Sequence, residues 1–551
     1  MHKKNLQKNF NERKSNYFIK FIRNLELSKL EIFLSLVVLL ISFYLRVEPA
    51  IFNISHFSFD QGLDQILVKK LVVDKDITLV SRYSGLEGVF MGPLFTWIMA
   101  IPFYLSNGNP NANVIFLSLL GLLSTVITYL VVKQISSKPT ALIASFLTAI
   151  SPIFVSSSKN VLSPSPLVFL TVIHVYLLWL IIIRKSKWLI PILAFFLSIL
   201  FQFEIGYALF SLFATGLLCL IYLKLSFLKP KIFIPSILAF VIPFLPQIVF
   251  DIRNYFIISR SILGYINGTN TSLGKLEVGF LGRIISRIET LVEDLVTNIS
   301  FGDKYQFMSL LMFAALFNGL IILYQSKKTT LKKTTTFLLL FVSFVYGGFI
   351  LYSGPVWSWY RAGLPFIFVL LLSIALSEIW SQVRWGKFIV GSIVVLLSII
   401  AIGPQDRISI ARGKYAGYVS TLSNQQKALD YIYKDSKGEP FALYVYTPPV
   451  YPWIWDYQLW WYAEKKYGYL PSPYDRMPQE GNPELIYLII EPAQFEADML
   501  GWKDNFTHYG EMTASASIPG GIGVEKWAFT EDPQNTDALM KYVDIFDEEG
   551  E

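Results

Sequence analysis

Two carboxylates open the chemistry of this chain. Asp60 and Asp64 lie in the stretch Phe57-Ser58-Phe59-Asp60-Gln61-Gly62-Leu63-Asp64-Gln65, just past the first long apolar run. Four residues apart, they share a face if the stretch is helical. A carboxylate within hydrogen-bond reach can take the proton of an acceptor hydroxyl or amine. Three cations could receive a phosphate leaving group: Lys159 in Ser156-Ser157-Ser158-Lys159-Asn160, Arg253 in Phe250-Asp251-Ile252-Arg253-Asn254, and Arg361 in Trp357-Ser358-Trp359-Tyr360-Arg361. Arginine forks match phosphate oxygens well. Glu204 is an acid between two apolar runs, where charge is costly and points to function unless it lies in a turn. Each group also has a plainer reading: solvated carboxylates, an interfacial lysine, or a snorkelling arginine paired with Asp251. The four histidines, His2, His56, His174 and His508, lack metal-ligand spacing, and His174 reads as a core residue.

The elements that must position these groups are apolar. Of 551 residues, 53% are hydrophobic and only 16% charged, with a mean hydropathy of +0.48. Soluble proteins carry about 25% charged residues, and many runs here approach the ~20 residues needed to cross a bilayer. The reading is an α-helical polytopic membrane protein. Cys219 is the single cysteine and lies in an apolar run, so neither a disulfide framework nor a thiolate metal site is available. The net charge of +7 divides by position. Residues 405–551 hold 12 Lys/Arg against 23 Asp/Glu, and the preceding 404 hold 35 against 17. That split fits basic cytoplasmic loops and an acidic exported tail rather than nucleic-acid binding.

Residues 1–29 read as a basic cytoplasmic N-terminus followed by an uncleaved anchor, since a signal peptide's small-residue cleavage site is missing. Eleven spans are expected, near 30–46, 113–132, 140–156, 166–183, 188–203, 206–223, 232–250, 306–324, 334–352, 361–377 and 386–402. The segment 89–105 is apolar but short, with Gly92, Pro93 and Pro102. If it stays on one side, the clusters Lys133/Lys138, Arg184/Lys185/Lys187, Lys224/Lys229/Lys231, Lys327/Lys328/Lys332/Lys333 and Arg384/Lys387 all fall inside, as the charge bias of membrane proteins demands. The long loops 47–112 and 254–305 are then outside. In the second, Ile284, Ile285, Ile288, Leu291 and Leu295 recur at helical spacing, which predicts a helix on the membrane surface.

From 405 the composition becomes that of an extracytoplasmic α/β domain. The pattern predicts a helix over 425–434, strands over 441–446 and 485–490, and a helix over 457–467. The tail's Trp453, Trp455, Trp460 and Trp461 read equally as core or as a carbohydrate-stacking surface. Internal repeats and Gly-rich phosphate loops are missing.

Asp60 in the first loop, then Gly92-Pro93-Leu94-Phe95, then Ser151-Pro152 leading to a basic residue, then Tyr360 and Pro365 heading a late span, resembles the GT-C membrane glycosyltransferases. These include protein O-mannosyltransferases and aminoarabinose transferases. A closer resemblance is to a bacterial branch with Asp-Gln-Gly-x-x-Asp in the first loop (here Asp60–Asp64) and Phe-Asp-Ile/Leu-Arg-(Asn/His)-x-Phe after the seventh span (here Phe250–Phe256). It covers about 30–400, and the tail, with Tyr444-Val445-Tyr446-Thr447-Pro448-Pro449, looks like the extra domain of the same group.

The resemblance implies an inverting transfer of a sugar from a polyprenyl-phosphate donor to an acceptor glycan, lipid or protein on the outer face of the plasma membrane. Asp60 would be the base, with Asp64 as the fallback. Lys159, Arg253 and Arg361 would hold the donor phosphate, and Gln61, Glu204, Asp251 and Tyr360 would line the substrate site. The second-loop acid of the O-mannosyltransferases has no counterpart here. A single pair of acids favours a metal-independent site without a cofactor. The alternative is a lipid or polysaccharide transporter or flippase, which should show inverted repeats and broken helices near the midplane.

Overall fold

The structure, a computed structural model, describes residues 28–267, 279–299, 306–402, 417–448, 451–471, 485–493, 495–507 and 510–529. The basic N-terminal segment up to residue 27, His2, His508 and parts of the second long loop lie outside the described residues.

Helix α1 (Lys29–Ile51) starts on a capping box in which Ser28 and Glu31 satisfy each other's backbone N–H groups. The Glu31 carboxylate also accepts from Tyr129 at 2.8 Å and Lys138 at 2.9 Å, which fixes one end of the bundle. At the other end α1 delivers the chain to α2 (Phe59–Val72), a short hairpin of β1 (Tyr83–Leu86) and β2 (Val89–Phe90), and α3 (Leu94–Ser106). Thirteen residues at 1.5 Å each give α3 a length of about 20 Å, short of the ~30 Å hydrocarbon core.

The bundle continues with α4 (Pro110–Ile135), α5 (Lys138–Ile150), α6 (Pro152–Lys159), α7 (Leu167–Ile182), α8 (Ile190–Phe201) and α9 (Ile205–Leu223). Next come α10 (Pro230–Val241), α11 (Leu245–Arg253), α12 (Ile257–Ile266), α13 (Phe280–Ile299), α14 (Gln306–Gln325), α15 (Thr329–Leu351), α16 (Pro365–Gln382) and α17 (Gly386–Ile402). Among the described residues seven helices are long and apolar enough to cross a bilayer, α10 and α11 counting as one, and eight if the bent pair α5–α6 forms a span. The other three expected spans are the shorter helices α7, α8 and α17. α7 is apolar all round and buried along most of its length, so other helices rather than lipid set its extent. Lys133 and Lys138 lie at the Glu31 end, and Lys328 pairs there with Glu378, whose neighbour Ser377 bonds Thr140.

α13 shows the inverse pattern of a soluble helix. Leu281, Ile285, Ile288 and Val292 are exposed along one stripe, while Arg287, Asp294 and Asn298 are buried on the bundle side. Such a helix is stable where the outward face meets hydrocarbon.

The break between α5 and α6 bends the chain by 49° and has a local cause. Pro152 lacks the N–H that would bond the Thr148 carbonyl. Arg46, fully buried on α1, donates instead: Nη2 to Thr148 O at 2.9 Å, Nη1 to Ala149 O at 2.6 Å, and Nε to Ser158 Oγ at 3.1 Å. Arg46→Met is expected to lower stability by roughly 3 kcal/mol, since buried carbonyls left without donors cost about 1–3 kcal/mol each. Unfolding in mixed micelles checks this, and an unchanged midpoint would contradict it.

Beyond the bundle, α18 (Leu422–Asp435), α19 (Trp453–Gln458), which continues through a π-turn at Leu459–Ala463, and α20 (Glu496–Thr507) pack with a mixed sheet. Its order is β3-β4-β6-β5: β3 (Ala442–Tyr446) and β4 (Leu485–Ile490) are parallel, and β5 (Gly510–Ile518) and β6 (Ile522–Phe529) form an antiparallel hairpin.

Candidate active site at the tip of helix α2

α2 begins where Ser58 N–H donates to Gln61 Oε1 at 2.7 Å, so the Gln61 side chain serves the helix start. This places Asp60 in the first turn, where the helix dipole favours a carboxylate. Asp60 is half-exposed, and one of its oxygens lies 3.0 Å from Arg82 Nη1. Arg82 is held by the hairpin: Met91 N–H donates to its carbonyl at 2.9 Å, and its Nη2 donates to Ser163 Oγ at 3.2 Å. The turn of that hairpin needs Gly88, whose φ of +72° is left-handed and whose missing Cβ leaves room for Ser261 of α12. Arg82 thereby pairs with Asp60 inside the first loop and ties that loop, through its hydrogen bond to Ser163, to the loop after α6.

Asp64 sits one turn further on, 2% exposed, and neither carboxylate oxygen has a hydrogen-bond partner among the described residues. Gln61 Nε2 and Gln65 Oε1 on the same face are likewise without partners. Burial raises the Asp64 carboxyl to about 6 against the pull of Arg82. An acid raised above its ordinary value of ~3.9 favours folding below that value and loses the contribution as pH rises through the folded value. Asp64→Asn is therefore expected to stabilise the fold by about 3 kcal/mol at pH 8, from about two units at 1.36 kcal/mol each, and to have little effect near pH 4. Thermal midpoints at the two pH values check this; equal shifts at both would contradict it.

Glu204 follows α8 and caps α9, one oxygen accepting from Gly206 N–H at 3.1 Å. Burial raises its carboxyl to about 7, opposed by that hydrogen bond and by the nearby Arg82 charge. Tyr360 lies over the same turn, since a Cβ on Gly206 would stand 2.3 Å from its ring. Asp60, Arg82, Ser163, Glu204 and Tyr360 thus belong to one neighbourhood, drawn from five separate segments.

Three of the expected contacts are engaged elsewhere. The Asp251 carboxylate accepts from Ile258 N–H at 2.7 Å, Ser259 N–H at 3.3 Å and Ser259 Oγ at 2.5 Å, so it caps α12 instead of facing a substrate. Arg361 is paired with Asp294 at 2.5 Å and Glu293 at 3.5 Å, and Tyr346 also donates to Asp294. This pairing holds the Arg361 guanidinium on the buried Asp294 of α13. Gln61 is buried and committed to the helix start. Arg253 is exposed, and no ion pair joins it to Asp251; Lys159 is half-buried at the end of α6.

Arg82 was not among the expected residues. It stands in the same long loop as Asp60, where Lys69, Lys70 and Lys75 also lie, so one further cation there carries little signal of its own. Among the described residues no three His, Cys, Asp or Glu side chains converge as a metal site; Asp60 meets a guanidinium, which repels a cation.

Residues 91–250 match the dolichyl-phosphate-mannose-protein mannosyltransferase family. No curated protein matches the sequence. The fold is similar to ArnT from Cupriavidus metallidurans bound to undecaprenyl phosphate, with a TM-score of 0.55 at 10% identity over 93% of this chain and 98% of that one. The apo form of ArnT gives 0.56 at 9% identity over the same shares. The Archaeoglobus fulgidus oligosaccharyltransferase, in complex with zinc and sulfate, gives 0.43 at 14% identity over 76% of this chain and 61% of that one. The family match and the fold together support a glycosyltransferase that uses a lipid-linked sugar. The chain is a polytopic membrane protein with the GT-C fold, and its residues 91–250 match the dolichyl-phosphate-mannose-protein mannosyltransferase family.

Proposed function

We propose that this protein moves a sugar from a polyprenyl-phosphate donor to an acceptor hydroxyl or amine, with inversion, on the membrane face away from its basic loops. The observation that carries the reading is the Asp60–Arg82 pair: a half-exposed carboxylate beside a guanidinium, in the loop that follows the first helix of the bundle. Asp60 takes the acceptor proton as the acceptor oxygen or nitrogen attacks the anomeric carbon from the face opposite the phosphate. The glycosidic C–O bond breaks, and its electron pair stays on the phosphate oxygen, giving free polyprenyl phosphate. Arg82 stands where that growing negative charge needs a partner, and on donor binding its fork can be shared between Asp60 and phosphate. Exposed Arg253 is available for a further phosphate contact. The undecaprenyl phosphate bound to the similarly folded ArnT supports a donor of this class. No step requires a metal.

Sealed proteoliposomes of known protein orientation test the reading. With donor confined to the leaflet on the side of the C-terminal domain, sugar should be consumed and polyprenyl phosphate released. Donor confined to the other leaflet should persist. Movement of intact donor between leaflets, without cleavage, would overturn the proposal in favour of a flippase.

A further inference from the structure

The C-terminal domain lies on α2 along its whole length. At the start of the helix, Phe59 stacks on Trp453 with ring centroids 4.4 Å apart. In the middle, a Cβ on Gly62 would stand 2.7 Å from the backbone nitrogen of Ile454 and 2.8 Å from the carbonyl carbon of Trp453. At the far end, Lys69 Nζ lies 5.3 Å from the Trp460 ring centroid. The strand-like approach to the helix is held by the same domain. Phe57 N–H donates to Ser420 O at 2.7 Å, Leu422 N–H to Ser55 O at 3.0 Å, and the buried Gln425 donates Nε2 to Phe57 O at 2.9 Å. Asn53 donates to Gln426 at 2.7 Å.

Gly62 lies between Asp60 and Asp64, and its close backbone contact sets both the depth and the rotation of α2. A glycine inside a helix costs about 0.5–1 kcal/mol relative to alanine, so its presence here matches a face that admits no side chain. Against this one surface α2 has a single seating, and the seating decides whether Asp60 reaches Arg82.

We propose that Trp453, Ile454 and Gln425 of the C-terminal domain are positioning residues that hold Asp60 in register with Arg82. The inference rests on the reading of Asp60 as base. The domain then acts on the chemistry through α2, whatever else it binds.

The test uses the full chain in lipid nanodiscs with two readouts: hydrogen exchange over residues 55–65, and steady-state turnover of a polyprenyl-phosphate sugar. Trp453→Ala should lose protection over 55–65 by about tenfold or more. Its kcat should fall by about tenfold to a hundredfold while donor KM changes less than twofold, because small misplacements of a reacting group cost up to about that much. Trp453→Phe keeps a ring against Phe59 and should restore both. Gly62→Ala should behave like Trp453→Ala, although an alanine on an open helix face would stabilise. Exchange in β4 and β6 reports whether a variant still folds. Unchanged protection in both variants would overturn the inference, and so would lost protection with unaltered kcat. Full turnover in Asp60→Asn would instead strike the reading of the base and leave the exchange result standing by itself.

Discussion

Asp60→Asn is expected to reduce turnover by about a thousandfold or more while donor remains bound. Asparagine keeps the shape and the place in the first turn of α2 but has no basic oxygen to accept the acceptor proton, a role worth roughly 10²–10⁴ in rate. Substitution also removes the partner of Arg82 at 3.0 Å, which leaves that guanidinium freer for phosphate. Donor affinity should therefore hold or rise, and the loss should fall on kcat. Single-turnover release of polyprenyl phosphate, beside equilibrium binding of labelled donor, separates the two. Asp64→Asn gives the contrast. Its carboxylate is buried and without a partner, so the expected result is a more stable protein that still turns over. Were Asp64→Asn dead and Asp60→Asn active, the roles assigned to the two acids would be exchanged.

The second large effect is expected at Arg82. Arg82→Met keeps the apolar stem and deletes the charge, and turnover should fall by about 10²–10³, the loss typical when one donor to a developing anion is removed. Donor affinity should weaken as well, which distinguishes this variant from Asp60→Asn. Arg82→Lys should recover only part, because an ammonium does not bridge Asp60, Ser163 and phosphate as a fork does. Steady-state kcat and KM across the three proteins check the pattern. An Arg82→Met enzyme with wild-type kcat would place the phosphate elsewhere, with Arg253 the next candidate.

Hydrophobic runs and local motifs made the helical architecture legible in the sequence, together with the stretch from Phe57 to Asp64 that opens the site. Strand β4 has the bounds its buried, β-branched pattern predicts, whereas the β5–β6 hairpin, built of small residues in Thr513–Ser517, carries little signal. What stayed hidden was long-range. Asp60 and Arg82 meet only because the hairpin folds back, and Arg361 meets Asp294 from 67 positions away. Asp251 escaped for a different reason. It caps a helix that begins six residues later, across the left-handed pair Tyr255 (φ 51°) and Phe256 (φ 61°), and local capping rules look only at the residue next to the helix. The tryptophans of the tail could be core or surface by composition; in the fold, Trp455 is buried and Trp453 lies on the helix that bears Asp60.

The most direct measurement gives the purified wild-type protein in nanodiscs a panel of radiolabelled polyprenyl-phosphate sugars with mixed envelope acceptors, and follows the lipid product. The account predicts that at least one donor is consumed, with one equivalent of free polyprenyl phosphate formed for each sugar transferred and inverted anomeric configuration in the product. A protein that stays folded, binds these donors and consumes none of them would contradict it.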